Sequence, residues 1–139
     1  MSKTIKPLSD AELLAALDSE YMSEAQLASF RQRLLAEESA LRGAANATTQ
    51  HLQETEAAPD PTDRASAEEE HTLELRVRDR ERKLLKKIAQ ALQRIEDGNY
   101  GWCEESGEPI GIARLLARPT ASLCLEAQER HEVRKRQYG

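Results

Sequence analysis

Ala57-Ala58-Pro59-Asp60-Pro61-Thr62-Asp63 decides the fold, because it stops one helix and starts another within a few residues. Pro59 has no N–H with which to continue a helical ladder, and Pro61 pushes Asp60 out of helical backbone. The same residues begin a helix well. Asp60 suits the N-cap, Pro61 the first helical position, and Asp63 the third, beside the positive end of the helix dipole. A short break between two helices turns the chain back on itself, so the stretch predicts an antiparallel hairpin.

Reading outward toward the C-terminus, Leu73, Val77, Arg80, Leu84, Ile88, Ala91 and Ile95 recur at spacings of three and four. They predict a helix from Pro61 to Asp97 with these residues as its seam, closed by Gly98 in the left-handed position that follows many helices. In the other direction, Ser23-Glu24-Ala25-Gln26 has capping-box spacing just after Met22. Leu27, Leu34, Leu41 and Thr48 then repeat every seven residues, with Phe30, Arg31, Glu38, Ala45 and Leu52 at or beside the other half of the seam. Two helices of this kind, about 35 residues each, run roughly 50 Å at 1.5 Å per residue. The seam is most apolar far from the turn, where Leu27, Phe30 and Leu34 oppose Leu84, Ile88 and Ile95. The tip is therefore expected to be exposed and held mainly by its own helices.

Outside the hairpin the character changes. Ser9-Asp10-Ala11-Glu12 is a second capping box and opens a short helix whose apolar side is Leu13, Leu14 and Leu17, ended by Asp18-Ser19-Glu20. Gly98, Gly101, Gly107, Pro109, Gly111 and Pro119 predict turns and irregular pieces, and a charged helical pattern returns at Leu123. The chain thus divides into a base segment at 1–22, the hairpin at 23–97 with its tip at 58–65, a knuckle-like region at 98–127, and a C-terminal helix at 128–139. The fold class is mainly α, a long coiled-coil hairpin on a small helical base.

Composition agrees with long solvated helices and a modest core: of 139 residues 32% are charged and only 4% aromatic. The net charge of −5 is unevenly spread, with 6 Lys+Arg against 14 Asp+Glu in residues 1–70 and 14 against 11 in residues 71–139. An acidic first half is repelled by a phosphate backbone, which argues against a plain DNA-binding protein. No apolar run approaches the roughly 20 residues needed to cross a bilayer, and Met1–Pro7 lacks the apolar segment of a signal peptide. A cytoplasmic location follows as an expectation, and there two cysteines are expected as thiols.

Three constellations carry chemistry. Cys103, Ser106, Cys124 and Ala127 stand at C-x2-C-x17-C-x2-C spacing with two of four cysteines replaced. Four thiolates at that spacing complete a zinc tetrahedron, but serine is a poor ligand and alanine none. Glu104, Glu105, Glu126 and His131 lie near in sequence, yet no spacing favours them as substitutes. This predicts a degenerate, metal-free knuckle held by Tyr100, Trp102, Ile110, Ile112, Leu115, Leu116 and Leu123, with the two thiols close together. At the tip, Asp60 and Asp63 read equally as helix caps or as carboxylates that reach a metal held by another molecule. On the third helix, Arg76, Arg78, Arg80, Arg82, Lys83, Lys86 and Lys87 read as a solvated face or, with Arg114, Arg118 and Arg134-Lys135-Arg136, as an anion site. No nucleophile–base motif is present, so an enzyme is not expected.

The strings Glu20-Tyr-Met-Ser-Glu-Ala-Gln-Leu27, Pro59-Asp-Pro-Thr-Asp-Arg-Ala65, Leu73-Glu-Leu-Arg-Val-Arg-Asp-Arg-Glu-Arg-Lys-Leu-Leu-Lys-Lys-Ile88 and Gly111-Ile-Ala-Arg-Leu-Leu-Ala-Arg-Pro-Thr120 closely resemble the DksA/TraR family of bacterial transcription factors, from about residue 20 onward. The missing thiols make the chain similar to the zinc-free, two-cysteine type known from pseudomonads. The resemblance implies a protein, expected as a monomer, that binds RNA polymerase directly, enters its secondary channel with the coiled coil and contacts no specific DNA sequence. It implies action with ppGpp in the stringent response, repressing ribosomal promoters and activating some biosynthetic ones. Asp60, Asp63 and Ala65 match tip residues near the polymerase active centre. Arg76 and Arg80 match positions that contact the channel rim. Leu84, Lys87, Arg118 and Gln128 match a ppGpp site completed by polymerase. Two positions depart from the family: Gln128 stands where a lysine is usual, removing a charge facing phosphates, which implies either a weaker response to ppGpp or a rescue by Arg130, and Val77 stands where asparagine is frequent. The alternatives are a transcript-cleavage factor, which uses an acidic tip in the same channel to hold a second magnesium, and a plain coiled-coil adaptor.

Overall fold

The computed structural model describes the backbone of residues 7–55 and 61–138, with side chains for all of these except 48, 52–55, 61–65 and 138. The chain is mainly helical: α1 (Asp10–Ala15), a 3-10 turn at Asp18–Glu20, α2 (Glu24–Thr55), α3 (Pro61–Asp97), α4 (Ile112–Ala117) and α5 (Leu125–Tyr138). There are no strands among the described residues, only an isolated bridge between Trp102 and Pro109. α2 and α3 form the long helical hairpin. Two compact units emerge, a base of residues 1–35 and 89–139 and a hairpin unit of residues 36–88. Residues 56–60, the predicted break, lie outside the described residues.

The base is built on a small apolar core. Leu13, Phe30, Leu34, Tyr100 and Leu115 are all at most 1% exposed. Phe30 on α2 meets the Tyr100 ring at 5.7 Å, and α1 packs against α4. Polar groups drawn into this core are satisfied, as burial without partners would be costly. The Tyr100 hydroxyl donates to the Pro119 carbonyl at 2.7 Å. Buried Ser29 accepts from Leu8 N–H at 2.6 Å and donates to the Ala25 carbonyl at 2.9 Å. Arg31 on α2 pairs with Glu96 on α3 at 2.5 Å, and Arg33 pairs with Asp10 at the start of α1.

Both expected capping boxes place their serine. Ser9 accepts from Glu12 N–H at 3.2 Å while Glu12 reaches back to Ser9 N–H at 3.3 Å. Ser23 accepts from Gln26 N–H at 3.4 Å, but the Gln26 side chain reaches one residue further, to Met22 N–H at 2.8 Å. α3 ends at Asp97, and Gly98 has φ 80°.

Four expectations need correction. Of the apolar side predicted for α1, only Leu13 is buried; Leu14 and Leu17 are 58% and 72% exposed, because α1 stops at Ala15 and the chain re-forms as a 3-10 turn. The irregular region contains a two-turn helix, α4, whose Leu115 is fully buried. The C-terminal helix begins at Leu125 rather than 128. The seam of α3 is also different. Leu73, Val77 and Leu84 are 58%, 43% and 37% exposed. The less exposed positions of α3 in the hairpin unit are instead Ala67, His71, Glu74, Glu81, Leu85 and Ile88, at steps of three, four and seven residues, with Asp79 beside them. The α2 side follows the heptad reading, with Glu38, Leu41 and Ala45 partly buried. The unit pairs polar groups across its seam, and His51 on α2 contacts Glu74 on α3.

Candidate functional site

Moving the seam frees a face. At about 100° per residue, Leu73, Arg76, Val77, Arg80, Leu84 and Lys87 fall within one arc of α3 about 100° wide, which adjoins but does not overlap the arc of His71, Glu74, Glu81, Leu85 and Ile88. All six are exposed. Asp79 takes Arg82 at 2.9 Å and Lys83 at 3.0 Å, and those hydrogen bonds, Arg82 first, hold its carboxyl below the usual range. Among the described residues, none of Arg76, Arg80 and Lys87 is in an ion pair. The stripe therefore offers three cations and three apolar side chains that the hairpin does not use. Arg76 and Arg80 were singled out by resemblance. Leu73 was not, because its spacing assigned it to the seam; comparing the two helical arcs is the signal that separates a seam from a free face.

The knuckle lies in the base. Its loop is shaped by backbone hydrogen bonds: Cys103 N–H to Glu108 O at 2.8 Å, Gly107 N–H to Cys103 O at 3.0 Å and Glu104 N–H to Ser122 O at 2.9 Å. Gly101, at φ 90°, admits Met22 so closely that a Cβ would sit 2.5 Å from its sulfur. Tyr21 braces the same place from outside: its hydroxyl donates to Gly101 O at 2.5 Å and accepts from Gly111 N–H at 3.0 Å. Its ring meets Trp102 edge-on at 5.2 Å, and burial pushes its hydroxyl pKa up.

Ser106 stands between the two thiols. Its N–H donates to Cys103 Sγ at 3.5 Å and its hydroxyl lies 3.7 Å from Cys124 Sγ. Both thiols are free, Cys103 buried and Cys124 half-buried, and the Ala127 methyl is fully buried. Burial pushes the Cys103 thiol up, but hydrogen bonds from the Ser106 hydroxyl and from the amides of Cys124, Ser106 and Glu105 outweigh it and bring the pKa down to about 6. The four former ligand positions thus supply two sulfurs, one hydroxyl and one methyl, which does not fit a tetrahedral zinc ion. Across the knuckle, Glu105 contacts His131 and lies 3.8 Å from Arg130, joining the loop to α5. The His131 hydrogen bond holds the Glu105 carboxyl below its usual range. This clasp escaped the sequence reading because its members are 26 residues apart, with all of α4 between them.

Arg118 and Gln128 line one open groove of the base, together with Arg114, Leu125, Glu129 and Glu132. Arg114 is committed to the Leu123 carbonyl at 3.0 Å, and the Gln128 amide donates to Glu132 at 3.4 Å. Leu84 and Lys87 belong to the hairpin unit. Asp60 is outside the described residues, as are the side chains of Asp63 and Ala65, whose backbone lies in the first turns of α3.

Comparison with known proteins is unambiguous. The family described as DnaK suppressor protein DksA, N-terminal domain, matches residues 26–95. The prokaryotic dksA/traR C4-type zinc finger matches residues 98–133. The chain is 57% identical over 120 residues to the RNA polymerase-binding transcription factor DksA of Caulobacter vibrioides, covering 86% of this chain and 84% of that protein. It is 53% identical over 119 residues to the protein of the same name from Escherichia coli K12, covering 85% and 79%. Among solved structures, transcription factor DksA2 from Pseudomonas aeruginosa superimposes with a TM-score of 0.85 at 48% identity, covering 92% of this chain and 99% of that one.

Proposed function

The chain belongs to the DksA family, and we propose that it regulates transcription by binding RNA polymerase directly. The observation that carries the reading is the α3 stripe. Cations at Arg76, Arg80 and Lys87 alternate with exposed Leu73, Val77 and Leu84 on a face the hairpin leaves uncovered. An interface core of this kind gains from apolar burial and from arginine together. The relatives carry RNA polymerase binding in their names.

In its finer form, the hairpin enters the secondary channel of polymerase in the cytoplasm, with Arg76 and Arg80 on the channel rim and Asp60, Asp63 and Ala65 near the active centre. It acts there with ppGpp to repress ribosomal promoters and activate some biosynthetic ones. Leu84, Lys87 and Arg118 contribute to a ppGpp site that polymerase completes. The base contributes weakly to it: Gln128 carries no charge, and Glu129 and Glu132 line the same groove as Arg118. The protein does this without zinc, since only Cys103 and Cys124 of the four ligand positions carry thiols and packing around Leu13, Phe30, Tyr100 and Leu115 holds the base.

The test separates binding from action at the tip. Asp63→Asn is expected to keep its affinity for polymerase and lose repression of a ribosomal promoter; persisting repression would reduce Asp63 to a helix cap.

A further inference from the structure

We propose that Cys103 and Cys124 together form a binding site for a soft, two-coordinate monovalent cation of the copper(I) class. Both sulfurs are set against one residue, Ser106, whose amide lies 3.5 Å from Cys103 Sγ and whose hydroxyl lies 3.7 Å from Cys124 Sγ. Both are free thiols. The surroundings select the kind of ion. Zinc seeks four donors in a tetrahedron, and among the described residues no group of three or more His, Cys, Asp or Glu side chains could hold a metal. A monovalent d10 ion asks for less: two thiolates satisfy it, and thiolate softness favours it over harder cations.

Position 127 points the same way. Ala127 is fully buried, so a methyl group occupies the place of a fourth ligand and the base is packed there without one. Ser106 is a hard, neutral oxygen that adds little to a soft ion, yet its N–H is placed to stabilise the negative charge of a bis-thiolate centre. Access is asymmetric. Cys103 is 3% exposed and Cys124 is half-buried, so an ion reaches Cys124 first and is then captured by Cys103. Each thiol still protonated releases its proton to solvent as its sulfur–metal bond forms, and nothing is oxidised or reduced.

The experiment uses the full chain, reduced and free of oxygen. Copper(I) is titrated in competition with a chromogenic copper(I) chelator, and zinc(II) with a chromogenic zinc chelator. The expected result is one copper withdrawn per chain, no zinc withdrawn, and both thiols recovered when the copper is removed. Cys103→Ser and Cys124→Ser are each expected to lose roughly tenfold or more in affinity, the least that removing even a supporting group around a metal costs. Ser106→Ala, which keeps both sulfurs, retains the site. Silver(I), which is not redox-active here, is expected to raise the melting temperature of the wild type and of Ser106→Ala but of neither cysteine variant. Failure to withdraw copper, loss of free thiols instead of metal retention, or one copper shared by two chains would overturn the proposal. So would wild-type affinity in either cysteine variant, or loss of binding in Ser106→Ala, which would make the serine a ligand.

Discussion

Cys103 sits where burial and hydrogen bonding oppose each other, and hydrogen bonding prevails. Its folded pKa of about 6 lies below the unfolded value of 9.0. The folded chain therefore binds fewer protons than the unfolded one between those values, so this residue adds stability that is full above pH 9 and lost as pH falls through 6. Denaturant midpoints measured across that window should rise with pH in the reduced wild type and lose that component in Cys103→Ala. A midpoint equally pH-dependent in the variant would assign the slope elsewhere. Tyr21 supports a second residue-level prediction. Its hydroxyl joins Gly101 and Gly111, so Tyr21→Phe leaves the Gly111 N–H short of its acceptor, while Gly101 O keeps the Ile110 N–H, and should cost about 1–3 kcal/mol in urea unfolding. The chain itself shows Tyr21 and Gly101 as ordinary residues. Only folding reveals that residues 80 positions apart share a hydrogen bond. By contrast, the serines of both capping boxes were legible, because a cap is a local interaction and local interactions are written in adjacent letters.

At the scale of the helices, α2 and α3 differ in how readable they are. The heptads of α2 identify its buried side correctly, since Phe30 and Leu34 are both apolar and buried. In α3 the apolar letters mislead. Leu73, Val77 and Leu84 keep helical spacing but stay exposed outside the buried arc, while Glu74, which meets His51, and Glu81 occupy the inner positions. A rule that apolar residues mark the seam fails where a helix has apolar residues reserved for another surface and polar pairs in its own. The consequence is measurable. Arg76→Glu with Arg80→Glu should leave helix content unchanged, because neither residue supports the hairpin, yet weaken polymerase binding by roughly tenfold or more, about 1.4 kcal/mol. A fall in helix content alongside binding would mean the arginines hold the hairpin itself. Replacing Val77 by Asn should likewise spare the fold and reduce binding, as an exposed apolar contact is lost.

For the molecule as a whole, the base and the hairpin unit answer different questions. The base was legible in outline as a knuckle with half its thiols, but α4 and the Glu105–His131 clasp were not, since both depend on how separate segments meet. A base packed around Leu13, Phe30, Tyr100 and Leu115 is expected to keep its melting temperature when a strong zinc chelator is added, whereas a zinc-stapled base would melt lower. Gln128→Lys should restore a positive charge in the groove of Arg118 and deepen the response to ppGpp; an unchanged response would place that groove outside the ppGpp site. These expectations rest on one claim, that the chain acts on polymerase. Transcription from a ribosomal promoter by purified polymerase, with and without this protein and ppGpp, tests it most directly. Repression by the protein is expected, increased by ppGpp and lost in the Arg76→Glu, Arg80→Glu variant; unchanged transcription at protein concentrations well above those of polymerase would contradict a role on polymerase.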